Sequence, residues 1–293
     1  MSGPHLHHAP AAAPPGLIGM VIAVTALLAA SAYLAGSTRL RLRGDAWPRW
    51  RDACFTAGCA VLAYALLGPL PGGPFTAHMA QHLVIAMIAP VLVVLARPLT
   101  LLLRVLPARP RRTLLAVAHS VPATVLVFPP LAATLDLGGL WLLYRTPLFA
   151  GIHHQPLLHA AVHVHVVVSG LLFTFAVCQL DPVRRRWSLA WRATALLTAG
   201  AAHAVLAKAL YAKPPPGTAF TTTDLHTGAQ LMYYGGDLAE LALAAIIAVQ
   251  WYTTSGRART HQQRRAESPP RRSAPRSSDH GRPDPQRTSS RVG

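Results

Sequence analysis

Charged residues and cysteines are both scarce in this chain. Asp, Glu, Lys and Arg together make up 13% of the 293 residues, whereas hydrophobic residues make up 52%. A balance this apolar excludes a single soluble domain of ordinary composition. The three cysteines, Cys54, Cys59 and Cys178, form no CxxC pair and are too few and too scattered for a disulfide framework. We expect them to pack as small apolar side chains within helices.

Long apolar runs dominate the rest of the sequence. A transmembrane helix needs about 20 mostly apolar residues. Runs of this kind predict an all-α, polytopic integral membrane protein with seven transmembrane helices. The predicted spans are 17–36, 53–70, 79–103, 113–135, 157–180, 189–211 and 229–252. Pro90 and Pro98 should kink or end the third span, and Pro122, Pro129 and Pro130 should make the fourth irregular.

Basic residues alternate from one side of these spans to the other. Twenty-four of the 27 Lys and Arg residues lie in or beside the connections after the first, third and fifth spans, or in the C-terminal tail. Only Arg145, Lys208 and Lys213 lie on the opposite side. The positive-inside rule therefore predicts an outer N-terminus and a cytoplasmic C-terminus. The first span lacks a positive n-region and is long for a signal peptide, so we expect a retained helix.

Three regions follow from this topology: an extracytoplasmic arm at 1–16, the seven-helix transmembrane domain at 17–252, and a basic cytoplasmic tail at 253–293. The tail is rich in Arg, Ser and Pro and has almost no apolar residues, which predicts disorder. A net charge of +17 would suit nucleic acid. The charges lie between apolar runs or in the tail, so we predict the lipid bilayer as partner and no nucleic acid.

The 15 histidines concentrate toward the predicted outer side. The stretch HHQPLLHAAVHVH at 153–165 holds five of them at the start of the fifth span. We assign His153 and His154 to the loop before that span. His165 points about 200° away from its neighbour two positions earlier, so it belongs to a different helix face.

Two pairs of histidines are spaced i, i+4 and therefore lie on one helix face each. They are His78 with His82, and His159 with His163. At a rise of 1.5 Å per residue, His82, His163 and His203 lie roughly 5 to 12 Å from the outer ends of their spans. Three helices can therefore present imidazoles at a similar depth.

This pattern of side chains predicts a metal site near the outer side. Imidazole with thioether sulfur suits copper, and imidazole alone also suits zinc or iron. Met87 lies about one turn deeper than His82 and, like the other methionines, could instead serve packing. Asp237 and Glu240 are three apart in span seven and could handle protons, support a metal or join helices. The candidate metal residues are His78, Met79, His82, His159, His163, His203, Met232 and Asp237.

At these residues the chain resembles the integral-membrane cytochrome c oxidase assembly factors of the CtaG type, over about residues 17–252. The run HMAQHLVIAMIAPVLVVLARP at 78–98 is similar to the family's H-M-x-x-H run with its later Ala-Pro and Arg-Pro. The run HHQPLLHAAVHVHVVVSGLLFTFAVCQLDP at 153–182 is similar to a histidine-spaced helix ending in Asp-Pro. A third segment, DLHTGAQLMYYGGDL at 224–238, is similar to one with an acid, glycines and a Met.

The resemblance implies a role in maturing a haem–copper oxidase by supplying or stabilising copper. It also implies an oxidase subunit as partner and the bacterial plasma membrane as location. The residues that it carries over as functional are His78, Met79, His82, His159, His163 and Asp237. We predict an assembly factor, not an enzyme, that holds Cu(I) and passes it on by ligand exchange. His203 and Met232 would be auxiliary ligands.

Other classes of protein remain open. A copper transport or resistance permease would need ligands toward the inner side, where only His119 and buried cysteines are available; sustained copper flux into vesicles would identify it. A haem b protein would pair His82 or His203 with His163, and a Soret band would identify it. A di-metal membrane hydrolase is a weaker alternative, because the chain has no HExxH, GxSxG or P-loop pattern.

Overall fold

The computed structural model describes residues 17–267 apart from 153, 154 and 183, with side chains described as far as residue 256. The predicted arm at 1–16, the loop residues His153 and His154, and residues 268–293 of the predicted tail lie outside this range. Every regular element within it is helical. The all-α prediction is therefore confirmed for the part of the chain that the structure describes.

Twelve α-helices and one π-helical turn account for the regular structure of the described residues. The helices are α1 (Leu17–Leu42), α2 (Arg49–Leu67), α3 (Pro74–Leu83), α4 (Ala89–Leu95), α5 (Pro98–Val105), α6 (Ala108–Ala118), α7 (Val121–Leu126), α8 (Pro129–Arg145), α9 (Leu148–Gly151), α10 (Pro156–Cys178), α11 (Leu189–Ala212) and α12 (Thr222–Glu267). The backbone of α12 thus stays helical beyond residue 252, where we ended the predicted transmembrane domain.

Among the described residues, five helical segments are long and apolar enough to cross a membrane. They are Leu17–Leu42, Pro74–Leu95, Pro156–Cys178, Leu189–Ala212 and Thr222–Gly256. Two further helices, α2 with 19 residues and α8 with 17, lie where the second and fourth spans were expected or close by. Helix α2 begins with charged side chains, and α8 is short for a membrane span. The chain is a multi-span helical membrane protein, and the count of seven spans stays a prediction.

The irregularity that the prolines predicted for the fourth span, 113–135, is confirmed, but the long helix of this region begins later than the predicted span. The described backbone forms α6, α7 and α8 in this region, with breaks at His119–Ser120 and Val127–Phe128. Pro122 occupies the first turn of α7, and Pro129 and Pro130 open α8. Proline suits the first turn of a helix, and it disfavours helical backbone at the residue before it. The long helix of this region therefore begins at the proline pair rather than before it.

The α-helical register of the third span is interrupted next to Pro90. A π-helical turn at Val84–Ile88 separates α3 from α4, and the amide of Ala89 donates to the carbonyl of Val84. Pro90 has no amide hydrogen with which to bond the carbonyl of Ala86 in α-helical register. That carbonyl faces Gly170 of α10, where an added Cβ would overlap it. The expected end of this span at Pro98 is confirmed, because Pro98 begins a new helix, α5, directly after Arg97 with φ of 54°.

Two aspartates fasten helix N-termini to neighbouring helices. Asp224, in the first turn of α12, accepts hydrogen bonds from the backbone amides of Phe75 (2.9 Å) and Thr76 (3.0 Å) at the start of α3. Asp181, after α10, accepts one from the amide of Thr100 (2.8 Å) in α5. A carboxylate at a helix N-terminus satisfies amides that have no partner within the helix and complements the helix dipole. These contacts fix α3 and α5 against the rest of the bundle.

Apolar side chains of the described bundle form two large buried clusters. One includes Phe75, Tyr144 and Leu206, and the other includes Phe173 and Leu196. Helix α8 packs against both α10 and α11, so it joins the two clusters. The polar residues that the next section describes lie between them.

Candidate functional site

A small cavity of about 30 Å³ lies among the spans and is lined by members of both apolar clusters. A cavity of this kind needs roughly 10–15 Å³ to hold one water, so it can accept an occupant of one or two atoms. Five helices and the π-helical turn contribute polar or sulfur-bearing side chains to its wall. Those side chains are His82, Met87, Asp136, His165, Ser169, His203 and Glu240.

His82 and His203 are the two buried imidazoles of this cavity, with 8% and 4% of their surfaces exposed. Their ring centroids lie 6.2 Å apart and their planes are inclined by 25°. The Nε2 atoms of both rings are buried and have no hydrogen-bond partner among the described residues. A buried polar atom without a partner costs free energy, so each of these nitrogens calls for a ligand, an ion or a water.

A carboxylate lies beside the second imidazole. The Oε1 atom of Glu240 in α12 is 3.9 Å from the Nδ1 atom of His203 in α11. Glycines provide the space for both side chains in a reciprocal way. An added Cβ on Gly236 would overlap the ring of His203, and one on Gly200 would overlap the carboxylate of Glu240. Small residues permit such close approach of membrane helices.

A second carboxylate was missed by the sequence analysis. Asp136 lies in the middle of α8 and accepts a hydrogen bond of 2.9 Å from the hydroxyl of Ser169 in α10. Because we ended the fourth span at residue 135, Asp136 was assigned to the following loop. The apolar run Pro129–Arg145 with one acid inside it was the available signal, since an ionisable residue within a span normally faces the interior.

Three of the four histidines in the predicted pairs line a neighbouring cavity of about 20 Å³. It is lined by His78, His82, Tyr144 and His163, among others, so His82 belongs to both cavities. The Nε2 atom of His78 and the hydroxyl of Tyr144 are hydrogen-bonded at 2.8 Å. Histidines of α3 and α10 thus lie around one cavity.

The remaining histidine of the predicted set lies at the edge of this region. His159 is exposed, and its ring centroid is 4.4 Å from that of His163. The Nδ1 atom of His163 bonds the carbonyl of His159 at 3.0 Å. His159 and His163 therefore connect the exposed surface of α10 to the second cavity.

The other candidate ligands lie elsewhere in the bundle. Met79 and Met232 are fully buried in the apolar cluster that contains Phe75. Asp237 is half-buried and does not line the first cavity, whereas Met87 does. No group of three or more His, Cys, Asp or Glu side chains within the described residues has the arrangement of a formed metal site. Metal binding by the eight candidates therefore stays a prediction.

The fold and the cavity define a class: an all-helical membrane protein that buries imidazoles and carboxylates between its spans. Comparison with known families narrows this class. The family model for the cytochrome c oxidase caa3 assembly factor, Caa3_CtaG, matches residues 31–254. The chain belongs to this family, as its resemblance in three segments indicated.

The similarity to curated relatives covers more of the chain than the match to the family model does. Uncharacterized proteins of Mycobacterium bovis and Mycobacterium tuberculosis are each 30% identical to the chain over 275 residues, which covers 86% of it. One of Mycobacterium leprae is 27% identical over 270 residues. The chain spans about 40% of the length of these relatives. No solved structure matches the chain.

The reciprocal packing predicts a specific energetic coupling. Gly236→Ala should lower the free energy of unfolding by about 1–3 kcal/mol, because the added methyl group meets the ring of His203. In a His203→Ala background the same change should cost nothing, since alanine favours a helix over glycine by about 0.5–1 kcal/mol. The measurement is a double-mutant cycle by denaturant unfolding in detergent.

Gly138→Ala in α8 is the matched control, because an added Cβ there would meet nothing within 4 Å. It should leave stability unchanged or raise it slightly. Equal destabilisation by Gly236→Ala in both backgrounds would show that His203 does not fill this space.

Proposed function

We propose that this protein binds Cu(I) at the cavity between His82 and His203 and supplies it to a subunit of a haem–copper oxidase during assembly. The observation that supports this most strongly is the pair of buried Nε2 atoms without partners, in a chain of the oxidase assembly family. Copper is cargo in this proposal, and the protein itself catalyses no reaction.

The donor set of the cavity fits Cu(I). Neutral imidazole nitrogens and thioether sulfur are ligands that copper accepts, and the lining residue Met87 contributes such a sulfur. A wall that lacks thiolates favours transient holding over tight retention. His82 and His203 are therefore the proposed primary ligands. Met79 and Met232, in their apolar cluster, would act at most as neighbours of that site.

The two carboxylates would offset the charge of the bound ion. A cation is costly in the interior of a bilayer unless an opposite charge or dipoles lie close by. Glu240 lies beside His203, and Asp136 lines the same cavity. A site with nearby acids can thus hold Cu⁺ within the spans without a permanent metal cluster.

The histidines of the second cavity supply a route for transfer. His82 is shared between the cavities, and His78 and His163 lie on the side of the exposed His159. Successive ligand exchange along this series would carry copper between the buried site and the predicted outer surface. An oxidase subunit would receive it there, at the outer side of a bacterial plasma membrane.

The cavities argue against a haem b protein, which would pair His82 or His203 with His163. The cavity that His82 and His163 line has a volume of about 20 Å³, which is far too small for a porphyrin ring. A permease would need the ligand series to continue through the bundle. Near the start of α11, Arg192 fills the space between helices and donates to the carbonyl of Cys178 (3.0 Å) and to the side chain of Gln250 (2.8 Å). Delivery from one side therefore agrees better with the packing.

Cu(I) binding should depend on the two buried imidazoles. The double variant His82→Ala/His203→Ala should weaken Cu(I) binding by at least about 100-fold. Loss of a residue that only supports a metal ligand already costs up to about 100-fold in affinity, and this variant loses two proposed ligands. The measurement is anaerobic Cu(I) titration of the purified full chain against a competing chromophoric chelator.

His119→Ala/His226→Ala removes the same number of imidazoles and is the matched control. Neither residue lines either cavity, and His226 stacks on Tyr211 instead. The Cu(I) affinity of this control variant should equal that of the original chain. Equal affinity in both double variants would exclude the proposed site.

The proposed direction of delivery requires the predicted orientation of the spans. A green fluorescent protein fused to the C-terminus should fluoresce in bacterial cells, because it folds only when it stays in the cytoplasm. An alkaline phosphatase fused at the same point should be inactive. The reverse pair of results would place the basic connections outside and contradict the positive-inside assignment.

A further inference from the structure

Two short helices lie on the surface of the bundle at its basic end. Within the described residues, α6 and α7 contain no buried side chain. Apolar Val117, Val121 and Val125 are exposed, and so are Arg109 and Arg111 of α6. Helices that expose both kinds of side chain are typical of the membrane interface, where the apolar side chains reach the acyl region and the cations reach the headgroups.

A cavity of about 200 Å³ lies beside these helices. Its floor is formed by residues of α5, α6, α7, α10 and the residue after α7, and it is apolar apart from the side chain of Thr124. The apolar members are Leu99, Ala118, Ala123, Val127 and Phe175. Four residues of the connection between α10 and α11 complete the lining. They are Pro182, Arg184, Arg185 and Trp187.

Trp187 holds a polar atom that has no partner. Its indole Nε1 is buried and lacks an acceptor among the described residues. The ring is held by Phe128, with centroids 4.6 Å apart, and by the guanidinium of Arg185, 4.3 Å from its centroid. The backbone amide of Trp187 donates to the side chain of Gln179 at 3.0 Å. The indole N–H is therefore fixed in place and lacks an acceptor.

The two arginines add positive charge that no acid of the described residues neutralises through a salt bridge. Neither Arg184 nor Arg185 takes part in a salt bridge within the described residues. Arg184 donates to the carbonyl of His119 at 3.1 Å, at the C-terminus of α6, which holds its guanidinium at the mouth of the cavity. A phosphate suits such a place, because arginine donates charge-assisted hydrogen bonds to phosphate oxygens.

We propose that this cavity binds one anionic phospholipid of the inner leaflet. The phosphate lies between the guanidinium groups of Arg184 and Arg185 and accepts from the indole of Trp187. The glycerol and the start of an acyl chain cover the apolar floor near Ala123 and Phe175. This site lies apart from the histidine cavities and does not depend on copper binding.

Charge complementarity and the apolar floor together identify the occupant. A free phosphate ion would satisfy the donors but would leave the floor uncovered. A zwitterionic lipid would cover the floor but would bring its own cation to the arginines. Only an anionic lipid matches both halves of the lining, and the exposed valines of α6 and α7 place the cavity in contact with the bilayer.

Native mass spectrometry of the purified full chain in detergent tests this proposal. The probes are phosphatidylglycerol, phosphatidylcholine with the same acyl chains, and inorganic phosphate. One phosphatidylglycerol should be retained about tenfold more tightly than phosphatidylcholine, because the choline cation of phosphatidylcholine is repelled by the two arginines; tenfold corresponds to about 1.4 kcal/mol. Inorganic phosphate should not displace it.

The matched variants are two double substitutions that remove the same charge. Arg184→Gln/Arg185→Gln should lower phosphatidylglycerol affinity about tenfold or more, because both guanidinium contacts are lost. Arg109→Gln/Arg111→Gln should leave it within about twofold, because these side chains of α6 do not line the cavity. Thermal unfolding should show all variants folded.

Ala123→Phe fills the apolar floor of the cavity and keeps every charge. It therefore tests the contact with the acyl chain even if the variant Arg184→Gln/Arg185→Gln fails to fold. It too should weaken retention about tenfold. Equal losses in both arginine pairs, or equal retention of the two lipids, would show only diffuse attraction and would overturn the proposal. Displacement by inorganic phosphate, or no effect of Ala123→Phe, would do the same.

Discussion

The close approach of α11 and α12 is the constraint on which the candidate site depends. Each helix places a glycine against an ionisable side chain of the other, Gly200 against Glu240 and Gly236 against His203. In a bilayer, apolar side chains gain little by leaving lipid for protein, so such packing and its polar contacts hold the helices together. The same contact brings a carboxylate beside an imidazole in the interior, where both must be satisfied by protein or by a ligand.

The position of the opposing imidazole depends on the third span. Asp224 of α12 fixes the N-terminus of α3, and the π-helical turn before Pro90 changes the helical register of the residues that follow His82. The turn also brings the carbonyl of Ala86 against Gly170 of α10. π-Helical turns often occur at functional sites, because they change the direction in which neighbouring side chains point. Here the turn begins two residues after His82, which both histidine cavities share.

The sequence allowed several of these features to be predicted. The i, i+4 spacing of His78 and His82 placed them on one face, and the proline positions predicted that the third span is interrupted at Pro98. The all-helical membrane class and the family also followed. These features depend on local periodicity and on proline geometry, which a single sequence records directly.

Other features depend on tertiary packing and could not be read in the same way. A membrane helix is apolar on most faces, so its pattern does not tell which face meets a neighbour. The sequence therefore could not show that Met79 lies in an apolar cluster whereas Met87 lines the cavity. Asp136 was missed because the proline pair at 129–130, taken as an irregularity inside a span, is in fact where the long helix begins.

Copper held by the two buried imidazoles should be visible in the X-ray absorption spectrum of the Cu(I)-loaded full chain. We expect two imidazole nitrogens in the copper shell, with at most one sulfur, and the loss of that signature when His82 and His203 are both replaced by alanine. A copper shell dominated by sulfur, or one that is unchanged in the double variant, would show that these imidazoles do not hold copper for delivery to an oxidase.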